Sequence, residues 1–386
     1  MTAEPRPVDR CFWTPGVWML TALMAAAALT LIIRFGFGLG AVTNLDNAHP
    51  WGIWIGIDVA AGVALAAGGF TTAFLGHILG RHYYESVTRP ALLTAALGYT
   101  MVAFAVFVDL GRSWAIWKFL VFQNHRSVLF EVGMCVMTYL LVLWIELLPA
   151  VAARLGRRVR LLGWIDRGVR KTMGVFIILG VVLSCCHQSS LGSLMVIAPT
   201  KLHPLWYTPW LPLHFLLSAI AVGFPMVIVE TGLATRSLHL DSEMPVLVPL
   251  SRLAAAALGV ALVVRLGDFV ARKSHLFIDG SGASISLLVE LVLGGVLPLI
   301  MLLIPAVRRS RGGLFVAAAL VVLGVLMNRI NVFVVALRSP FAEHAYVPAV
   351  GELIITAGSV AALMFLYRAA VTYLPVLSAR KLEEVH

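Results

Sequence analysis

The chain has 386 residues, of which 60% are hydrophobic and only 12% are charged, and its formal net charge at pH 7 is +10. No soluble fold buries so large an apolar fraction, so the composition excludes an ordinary soluble domain and predicts a polytopic membrane protein. A basic chain can bind nucleic acid when its charge is clustered on one surface, but the distribution of charge described below excludes that function.

Ten apolar stretches of bilayer-spanning length follow one another through the chain. We predict helices at 14–39, 52–80, 88–111, 127–150, 170–187, 209–236, 246–270, 283–307, 312–336 and 347–372. These spans are too long and too uniformly apolar for β-barrel strands. The first is longer than the apolar core of a signal peptide, so we expect it to be retained. The sequence predicts an all-α fold, with residues 1–386 forming a single integral-membrane domain.

The basic residues are distributed unevenly between the two sides of the predicted membrane. Of the 29 Lys and Arg residues, 19 lie in the two tails and the even-numbered loops, and seven lie in the odd-numbered loops. The positive-inside rule therefore predicts an inner-membrane protein with both termini and the Arg154–Lys171 cluster in the cytoplasm. The basic excess is a topology signal, with some contact to anionic lipid.

A shift of the sequence against itself by 159 residues aligns several rare residues. The aligned pairs are Pro50–Trp51 with Pro209–Trp210, Asp109 with Asp268, and Ser127–Glu131 with Ser286–Glu290. Four helices separate the copies, so both have the same orientation in the membrane. We predict a parallel repeat of two four-helix bundles, helices 2–5 (residues 50–187) and helices 6–9 (residues 209–346), flanked by helices 1 and 10.

Charged and polar residues inside the predicted helices fall mainly toward the outer half of the membrane, where they line a cavity or form paired networks. The set comprises Arg34, Asp58, Asp109, Glu131, His187, Arg265, Asp268, Arg329 and Glu352. A purely structural role fits several of them. Arg34, Asp58, Asp109 and Arg112 can pair across helix ends, and Arg265 and Asp268 are i,i+3 neighbours on one helix.

Three of the intramembrane residues favour a functional role. Glu131 lies one turn inside helix 4, where Arg126 is its only local cation. His187 ends the predicted helix 5 and begins the polar run His187–Ser193, which predicts a re-entrant loop at the membrane surface. Glu230, deep in helix 6 beside Pro225, suggests a proton carrier toward the cytoplasm, or else a hydrogen bond to a neighbouring helix.

The metal and redox-cofactor signals are weak. Cys11, Cys135, Cys185 and Cys186 show no CxxC spacing, so we predict neither an iron–sulfur cluster nor another metal site in this chain. Haem ligation needs two imidazoles at one height on facing helices. Only His187 and His214 come near that condition, and we predict that the chain holds no haem.

Several motifs resemble the NrfD/polysulfide-reductase superfamily of membrane subunits. They are Asn47–Trp54, Arg89–Leu92 with Leu97–Tyr99, Val108–Arg112 and Ser127–Glu131. The runs His187–Leu194, His203–Trp206 and Val229–Gly232 resemble the HybB branch, whose members are membrane subunits of nickel–iron hydrogenases. The resemblance covers nearly the whole chain, and the His187–Ser190 block is its most specific element.

The resemblance implies a quinone-reactive, ten-helix anchor that exchanges electrons with a menaquinone or ubiquinone pool. Such an anchor docks on its outer face against an iron–sulfur subunit, which connects it to a catalytic subunit such as a nickel–iron hydrogenase or a molybdopterin reductase. The positions that match the functional residues of the family are Tyr99, Glu131, His187 and Glu230.

Quinone chemistry moves two electrons and two protons, so the site needs hydrogen-bond donors and proton-exchanging groups. We expect the head group near the outer surface among helices 2–5, with His187 or Tyr99 bonded to a carbonyl and Glu131 exchanging a proton. Asp109 with Arg112 would order the pocket. Asp58, Gln188 and Ser189 complete the predicted quinone-binding residues.

A proton route is expected from Tyr99 through Glu230 and His77 to the cytoplasm. Two other functional classes stay open at this point. A proton-coupled secondary transporter also uses parallel repeats and buried carboxylates, but it would work without partners. A membrane anchor without chemistry of its own would tolerate neutral substitutions of Glu131 and His187.

Overall fold

The structure is a computed structural model that describes residues 6–8, 11–156, 159–338, 342 and 344–377. These residues contain ten helices that are long and apolar enough to cross a membrane, and no β-strand. The all-α prediction with ten membrane helices is confirmed. The helices are α1 Pro15–Phe37, α2 Trp54–Ile78, α3 Glu85–Asp109, α4 Val128–Leu155, α5 Arg160–Val196, α6 Leu211–Leu238, α7 Met244–Ala271, α8 Gly282–Leu303, α9 Arg311–Val335 and α10 Val350–Tyr373.

Hydrogen bonds between loops define the two ends of the helix bundle. At the end with the even-numbered loops, Ser86 Oγ donates to Glu243 Oε2 at 3.0 Å. At the opposite end, with the odd-numbered loops, Asn44 Nδ2 donates to the Val347 carbonyl at 3.0 Å. We call these the even-loop end and the odd-loop end. The predicted orientation, with the even-loop end in the cytoplasm, stays a prediction, and part of its basic cluster (Arg157 and Arg158) lies outside the described residues.

Helix packing places α2 at the centre of the molecule. Helices α2–α5 pack against one another, as do α6–α9, while α1 packs along α10 at one side. Helix α2 contacts α3, α6 and α9, so it joins the two groups of four, and 83% of its most apolar window is buried. The proposal that the two groups are copies of one ancestral repeat stays a prediction.

Glycines let α2 approach its neighbours closely. A Cβ on Gly69 would lie 2.6 Å from the Cβ of Ala95 on α3, and a Cβ on Gly68 would lie 3.2 Å from the Gly223 carbonyl oxygen on α6. Small residues at crossings are the usual way in which membrane helices gain packing contact. The ends of α2, Trp54–Ala61 and Phe74–Ile78, are π-helical, a local widening that is frequent at functional sites.

Helix α5 corrects one prediction. No re-entrant loop begins at His187, because α5 continues without interruption to Val196 over 37 residues. The polar side chains of this run find partners that leave the helix intact. Ser193 Oγ, for example, donates to the Ser189 carbonyl at 3.3 Å. Gly192 does not break the helix, and it leaves room for α6, whose Leu211 carbonyl oxygen would lie 2.6 Å from a Cβ there.

Candidate functional site

Two predicted residues, Tyr99 on α3 and His187 on α5, meet in the interior of the first group of helices. Both are 0% exposed, and the Tyr99 hydroxyl is hydrogen-bonded to His187 Nε2. His187 Nδ1 lies 2.7 Å from the Leu183 carbonyl, which can only accept, so Nδ1 donates. In the neutral imidazole, Nε2 must then accept the hydrogen bond from Tyr99. The ring of Tyr139 on α4 packs edge-on against Tyr99 with a centroid distance of 4.6 Å.

Glu131 lies on the same side of α5, closer to the odd-loop end. Ser190 Oγ donates to Glu131 Oε1 at 2.6 Å. Ser190 follows His187 by three residues, so the two side chains lie about one turn apart on the same face of α5. Ser190 is buried, whereas Glu131 is exposed at the start of α4. The Glu131–Ser190 pair therefore connects the surface with the helix face that carries the buried Tyr99–His187 pair.

The neighbouring predicted residues occupy different environments. Gln188 is 0% exposed, and its Nε2 donates to the Val63 carbonyl of α2 at 2.9 Å. Its Oε1 is buried without a hydrogen-bond partner among the described residues. Ser189 is half-buried. Gln188 thus ties α5 to the central helix and keeps one free acceptor in the interior.

A second predicted group forms between α1, α2, α3 and α10, and it corrects the pairing of Asp109 with Arg112. Arg112 is exposed and makes no ion pair with Asp109 in the described part of the chain. The buried cation beside Asp109 is Arg34, whose Nε donates to the Val108 carbonyl at 2.9 Å. Asp58 accepts from Thr356 Oγ1 of α10 at 2.6 Å. These contacts join helices, and none of them reaches the Tyr99–His187 pair.

Glu230 on α6 faces two hydroxyl groups, Thr94 on α3 and Tyr367 on α10. Thr94 precedes Tyr99 by five residues, a rise of about 7–8 Å along α3. Tyr367 also lines a cavity of about 290 Å³ together with Glu243 at the even-loop end. Burial raises the pKa of Glu243 above its ordinary value, and the hydrogen bond from Ser86 opposes this shift.

His77 does not belong to this set. It is exposed on the π-helical end of α2, and no hydrogen bond joins it to Glu230 or to Tyr99 among the described contacts. The predicted route from Tyr99 through Glu230 to His77 is therefore corrected at its last residue. The polar groups that continue from Glu230 to the even-loop end are Tyr367 and Glu243.

The second group of helices holds a polar network centred on Glu290 of α8. The carboxylate is 3% exposed and forms an ion pair with Arg265 of α7. It also accepts from Asn331 Nδ2 at 2.6 Å, from Asn328 Nδ2 at 2.8 Å and from Trp206 Nε1 at 3.2 Å. Glu290 aligns with Glu131 in the predicted repeat, but it is deeply buried where Glu131 is exposed.

Asp268 lies nearer to the odd-loop end, and it corrects a second predicted pair. The structure pairs Arg265 with Glu290 rather than with Asp268. Asp268 accepts from Arg272 Nε at 3.0 Å and from Thr208 Oγ1 at 3.1 Å. His214 Nε2 lies 3.3 Å from its second carboxylate oxygen. One helix turn further along α7 thus replaces the i,i+3 partner with an i,i+4 partner.

The histidine geometry does not fit axial haem ligation by His187 and His214. Both ring nitrogens of His187 are engaged, Nε2 with Tyr99 and Nδ1 with the Leu183 carbonyl. The Nε2 atom of His214 is directed at Asp268. Since a haem iron needs a free imidazole nitrogen on each side, this pair does not supply the two ligands.

Several residues of these networks were not identified from the sequence. Tyr139, Trp206, Asn331 and Tyr367 read as ordinary members of apolar helices or loops, and their partners lie on other helices. The available signal was an amide or a phenol within an otherwise apolar span, because such groups need a partner in a membrane. Tyr346 was also missed, and its hydroxyl donates to Glu352.

Comparisons with known proteins agree with this architecture. Residues 41–338 match the family described as "Polysulphide reductase, NrfD". The "Probable Ni/Fe-hydrogenase 2 b-type cytochrome subunit" of Escherichia coli is 33% identical over 99% of this chain and 97% of its own length. The "Menaquinone reductase, integral membrane subunit" of Nitratidesulfovibrio vulgaris is 28% identical, over 87% of this chain and 85% of its own length.

A more distant relative, a dimethyl sulfoxide reductase membrane subunit of Halobacterium salinarum, is 24% identical over 97% of this chain and 95% of its own length. The names of these relatives describe subunits of different oxidoreductases, most of them membrane subunits. The family match spans well over half of the chain, and the hydrogenase relative covers nearly all of it. The chain belongs to the polysulphide reductase NrfD family of membrane proteins.

Proposed function

We propose that this chain is the quinone-reactive membrane subunit of a respiratory oxidoreductase, and that its site lies between α3, α4 and α5. The observation that carries the proposal is the line of polar groups from exposed Glu131 through Ser190 to the buried Tyr99–His187 pair. Ionisable groups inside a membrane are costly and usually mark substrate or proton pathways. A quinone needs both, because its reduction takes up two electrons and two protons.

The residues of this line suit separate tasks. The exposed carboxylate of Glu131 and the hydroxyl of Ser190 lie where a head group arrives from the membrane surface, and Glu131 exchanges the proton of a carbonyl oxygen. The Tyr99–His187 pair lies behind them and holds a proton that moves between the phenol and the imidazole. In this arrangement His187 and Tyr99 act through Glu131 and Ser190 rather than by direct contact with the quinone.

The proton route to the even-loop end follows the second set of polar groups. Thr94 and Glu230 continue from Tyr99 along α3 and α6, and Tyr367 and Glu243 continue from Glu230. A carboxylate whose pKa is raised into the physiological range, as burial does at Glu243, exchanges protons readily. With the even-loop end in the cytoplasm, quinone reduction at this site would take up cytoplasmic protons.

The partner subunits are part of the proposal. The relatives' names refer to a nickel–iron hydrogenase and to a dimethyl sulfoxide reductase, so a catalytic subunit is expected with this chain. We propose that an iron–sulfur subunit docks on the odd-loop end, on the periplasmic side, and carries electrons between the two. A nickel–iron hydrogenase of the HybB type is the first partner to test, because the hydrogenase relative shows higher identity and coverage than the reductases named above.

The test is the turnover of quinone by the purified complex with Glu131→Gln. The variant keeps the hydrogen bond from Ser190 but cannot exchange a proton, and loss of one acid–base group lowers a rate by about 10²–10⁴-fold. We expect that loss in quinone turnover, with unchanged electron transfer from the catalytic subunit to a soluble dye. Unchanged quinone turnover would contradict the assignment.

Asp166→Asn is the matched control, since it also replaces a carboxylate by an amide. Asp166 lies near the even-loop end of α5 in an ion pair with Arg170 at 2.8 Å, and 21 residues separate it from His187. That separation is about 31 Å along the helix. We expect this variant to keep full quinone turnover. Loss in both variants would indicate damage to assembly rather than to the site.

A further inference from the structure

A cavity with an empty volume of about 910 Å³ lies within the second group of helices, and none of the residues predicted for the quinone site lines it. Its wall at the odd-loop end is polar and includes Thr208, His214, Arg265, Asp268 and Arg272. Its deeper wall is apolar and is formed mainly by leucine, alanine, glycine and valine side chains of α7, α8 and α9. The cavity therefore has the polarity of an amphipathic ligand, with a polar head at the odd-loop end.

The charges around this cavity do not balance. The described residues of its wall and of the layer directly behind it place three guanidinium groups, of Arg265, Arg272 and Arg329, against two carboxylates, of Asp268 and Glu290. Each carboxylate already has an arginine partner. The third arginine needs compensation, because a buried charge without a partner is strongly unfavourable.

Arg329 is that third arginine. It is 0% exposed, and its guanidinium stacks on Phe215 at 3.6 Å from the ring centroid. Its Nη2 donates to Ser218 Oγ at 2.9 Å, and its Nη1 donates to Asn328 Oδ1 at 2.6 Å. Phe215, Ser218 and Asn328 all line the cavity. No carboxylate forms an ion pair with Arg329 in the described part of the chain, so its charge faces the cavity through neutral groups.

The wall also has unused hydrogen-bond donors. A guanidinium carries five N–H donors. Among the described contacts Arg265 uses one nitrogen, toward Glu290, and its side chain is 26% exposed. Arg272 uses Nε and Nη1, toward Asp268 and the Tyr207 carbonyl. The remaining donors favour a ligand that offers several acceptor oxygens, and a forked guanidinium matches the geometry of phosphate.

The helix packing opens this cavity toward the lipid. The half of α8 nearer the even-loop end, Leu297–Leu303, packs against α7, whereas its first half, Gly282–Leu291, does not pack closely against α7. Leu266 of α7 lines the cavity and is also 38% exposed, so the cavity reaches the outer surface of the bundle beside that gap. A membrane lipid can therefore enter sideways, without passing through the loops.

We propose that this cavity binds a phospholipid from the leaflet at the odd-loop end. Its phosphate contacts Arg265 and Arg272, and an acyl chain lies along the apolar wall toward Gly294 and Gly324. The phosphate supplies the negative charge that Arg329 lacks. A neutral quinone would leave this charge uncompensated. The site lies in the second group of helices, and it does not depend on the quinone assignment of the first.

The test measures lipid binding to the full complex after delipidation, by native mass spectrometry. The probes are phosphatidylglycerol, diacylglycerol with the same chains but no phosphate, inorganic phosphate, and a short-chain menaquinone. The variants are Arg265→Gln, which removes a phosphate contact, and Ala261→Phe, which fills the cavity without a change of charge. Lys118→Gln is the control, because it removes an exposed positive charge from the loop between α3 and α4.

We expect phosphatidylglycerol to bind the wild type and the Lys118 variant equally, and at least tenfold more weakly to the Arg265 and Ala261 variants. Diacylglycerol should bind weakly to all of them. Equal retention of phosphatidylglycerol by both cavity variants would overturn the proposal. So would menaquinone binding that follows the two cavity variants, or inorganic phosphate binding as tightly as the lipid. If Arg265→Gln does not assemble, Ala261→Phe decides the question alone.

Discussion

Removal of a single hydroxyl group tests the buried Tyr99–His187 pair. In Tyr99→Phe the ring stays and keeps its edge-on contact with Tyr139, but the donor to His187 Nε2 is lost. Both residues are 0% exposed, so water does not replace the donor. A buried polar atom left without a partner costs about 1–3 kcal/mol. We expect the free energy of unfolding of the Tyr99→Phe variant to fall by about that amount.

Tyr139→Phe is the matched control within the same cluster. The Tyr139 ring is 1% exposed, and its hydroxyl has no hydrogen-bond partner among the described residues. Removal of that hydroxyl breaks no hydrogen bond and frees a buried polar group from the cost of burial. We expect Tyr139→Phe to be as stable as the wild type or more stable, although the chemical change is the same.

The assay is equilibrium unfolding of the purified complex in mixed micelles of a mild detergent and sodium dodecyl sulfate, followed by quinone turnover. A Tyr99→Phe variant with wild-type stability would refute the assignment of the hydrogen bond. Equal destabilisation in Tyr99→Phe and Tyr139→Phe would show that ring packing, rather than the bond to His187, stabilises the cluster. Retained stability loss with full turnover would limit the pair to a structural role.

Three further predictions concern other parts of the chain. Burial raises the pKa of Glu243, so its contribution to stability is fully present below the ordinary carboxyl pKa and is lost as the pH rises through the raised value; Glu243→Gln keeps an acceptor for Ser86, and a pH series of unfolding should show this dependence in the wild type only. Gly69→Ala places a Cβ 2.6 Å from Ala95 Cβ and should destabilise the fold by about 1–3 kcal/mol. Gly36→Ala, with no atom within 4 Å of the new Cβ, should be neutral or stabilising in the same thermal assay. Reduced-minus-oxidised absorption spectra of the isolated chain should lack a haem band, and a haem band in stoichiometric amount would contradict the histidine geometry.

The helices of this protein were predictable because hydropathy alone decides which segments enter a membrane. All ten predicted spans correspond to observed helices, and most boundaries agree within a few residues. The exception is α5, where polarity at His187–Ser193 suggested a loop. A polar run ends a membrane helix only when its side chains lack partners, and those partners, such as Glu131 and Val63, lie on other helices.

The composition of the candidate site was partly predictable, but its pairing was not. Glu131, His187 and Tyr99 were identified, since ionisable and phenolic groups inside apolar spans are conspicuous in sequence. Their partners depend on the rotation of each helix about its axis, which a single sequence does not encode locally. For the same reason, Asp109 was paired with Arg112, its neighbour in sequence, whereas the buried cation beside it is Arg34, which lies on another helix.

The two ends of the proton route illustrate the same limit. His77 was selected because a histidine near the even-loop end is a natural proton donor, but the structure places it exposed on α2. Tyr367, which faces Glu230, belongs to the last helix and has no distinctive sequence context. Contacts between the first and last thirds of the chain therefore form the part of the route that sequence did not supply.

The most direct test of the central claim is photoaffinity labelling of the native complex with an azido-quinone, followed by mapping of the labelled peptides. The account predicts labels on the peptides of α4 and α5 that carry Glu131 and Ser190, competed by unlabelled quinone and lost in Glu131→Gln. Labels confined to the cavity lined by Arg265 and His214, or labels without competition, would contradict a quinone site in the first group of helices.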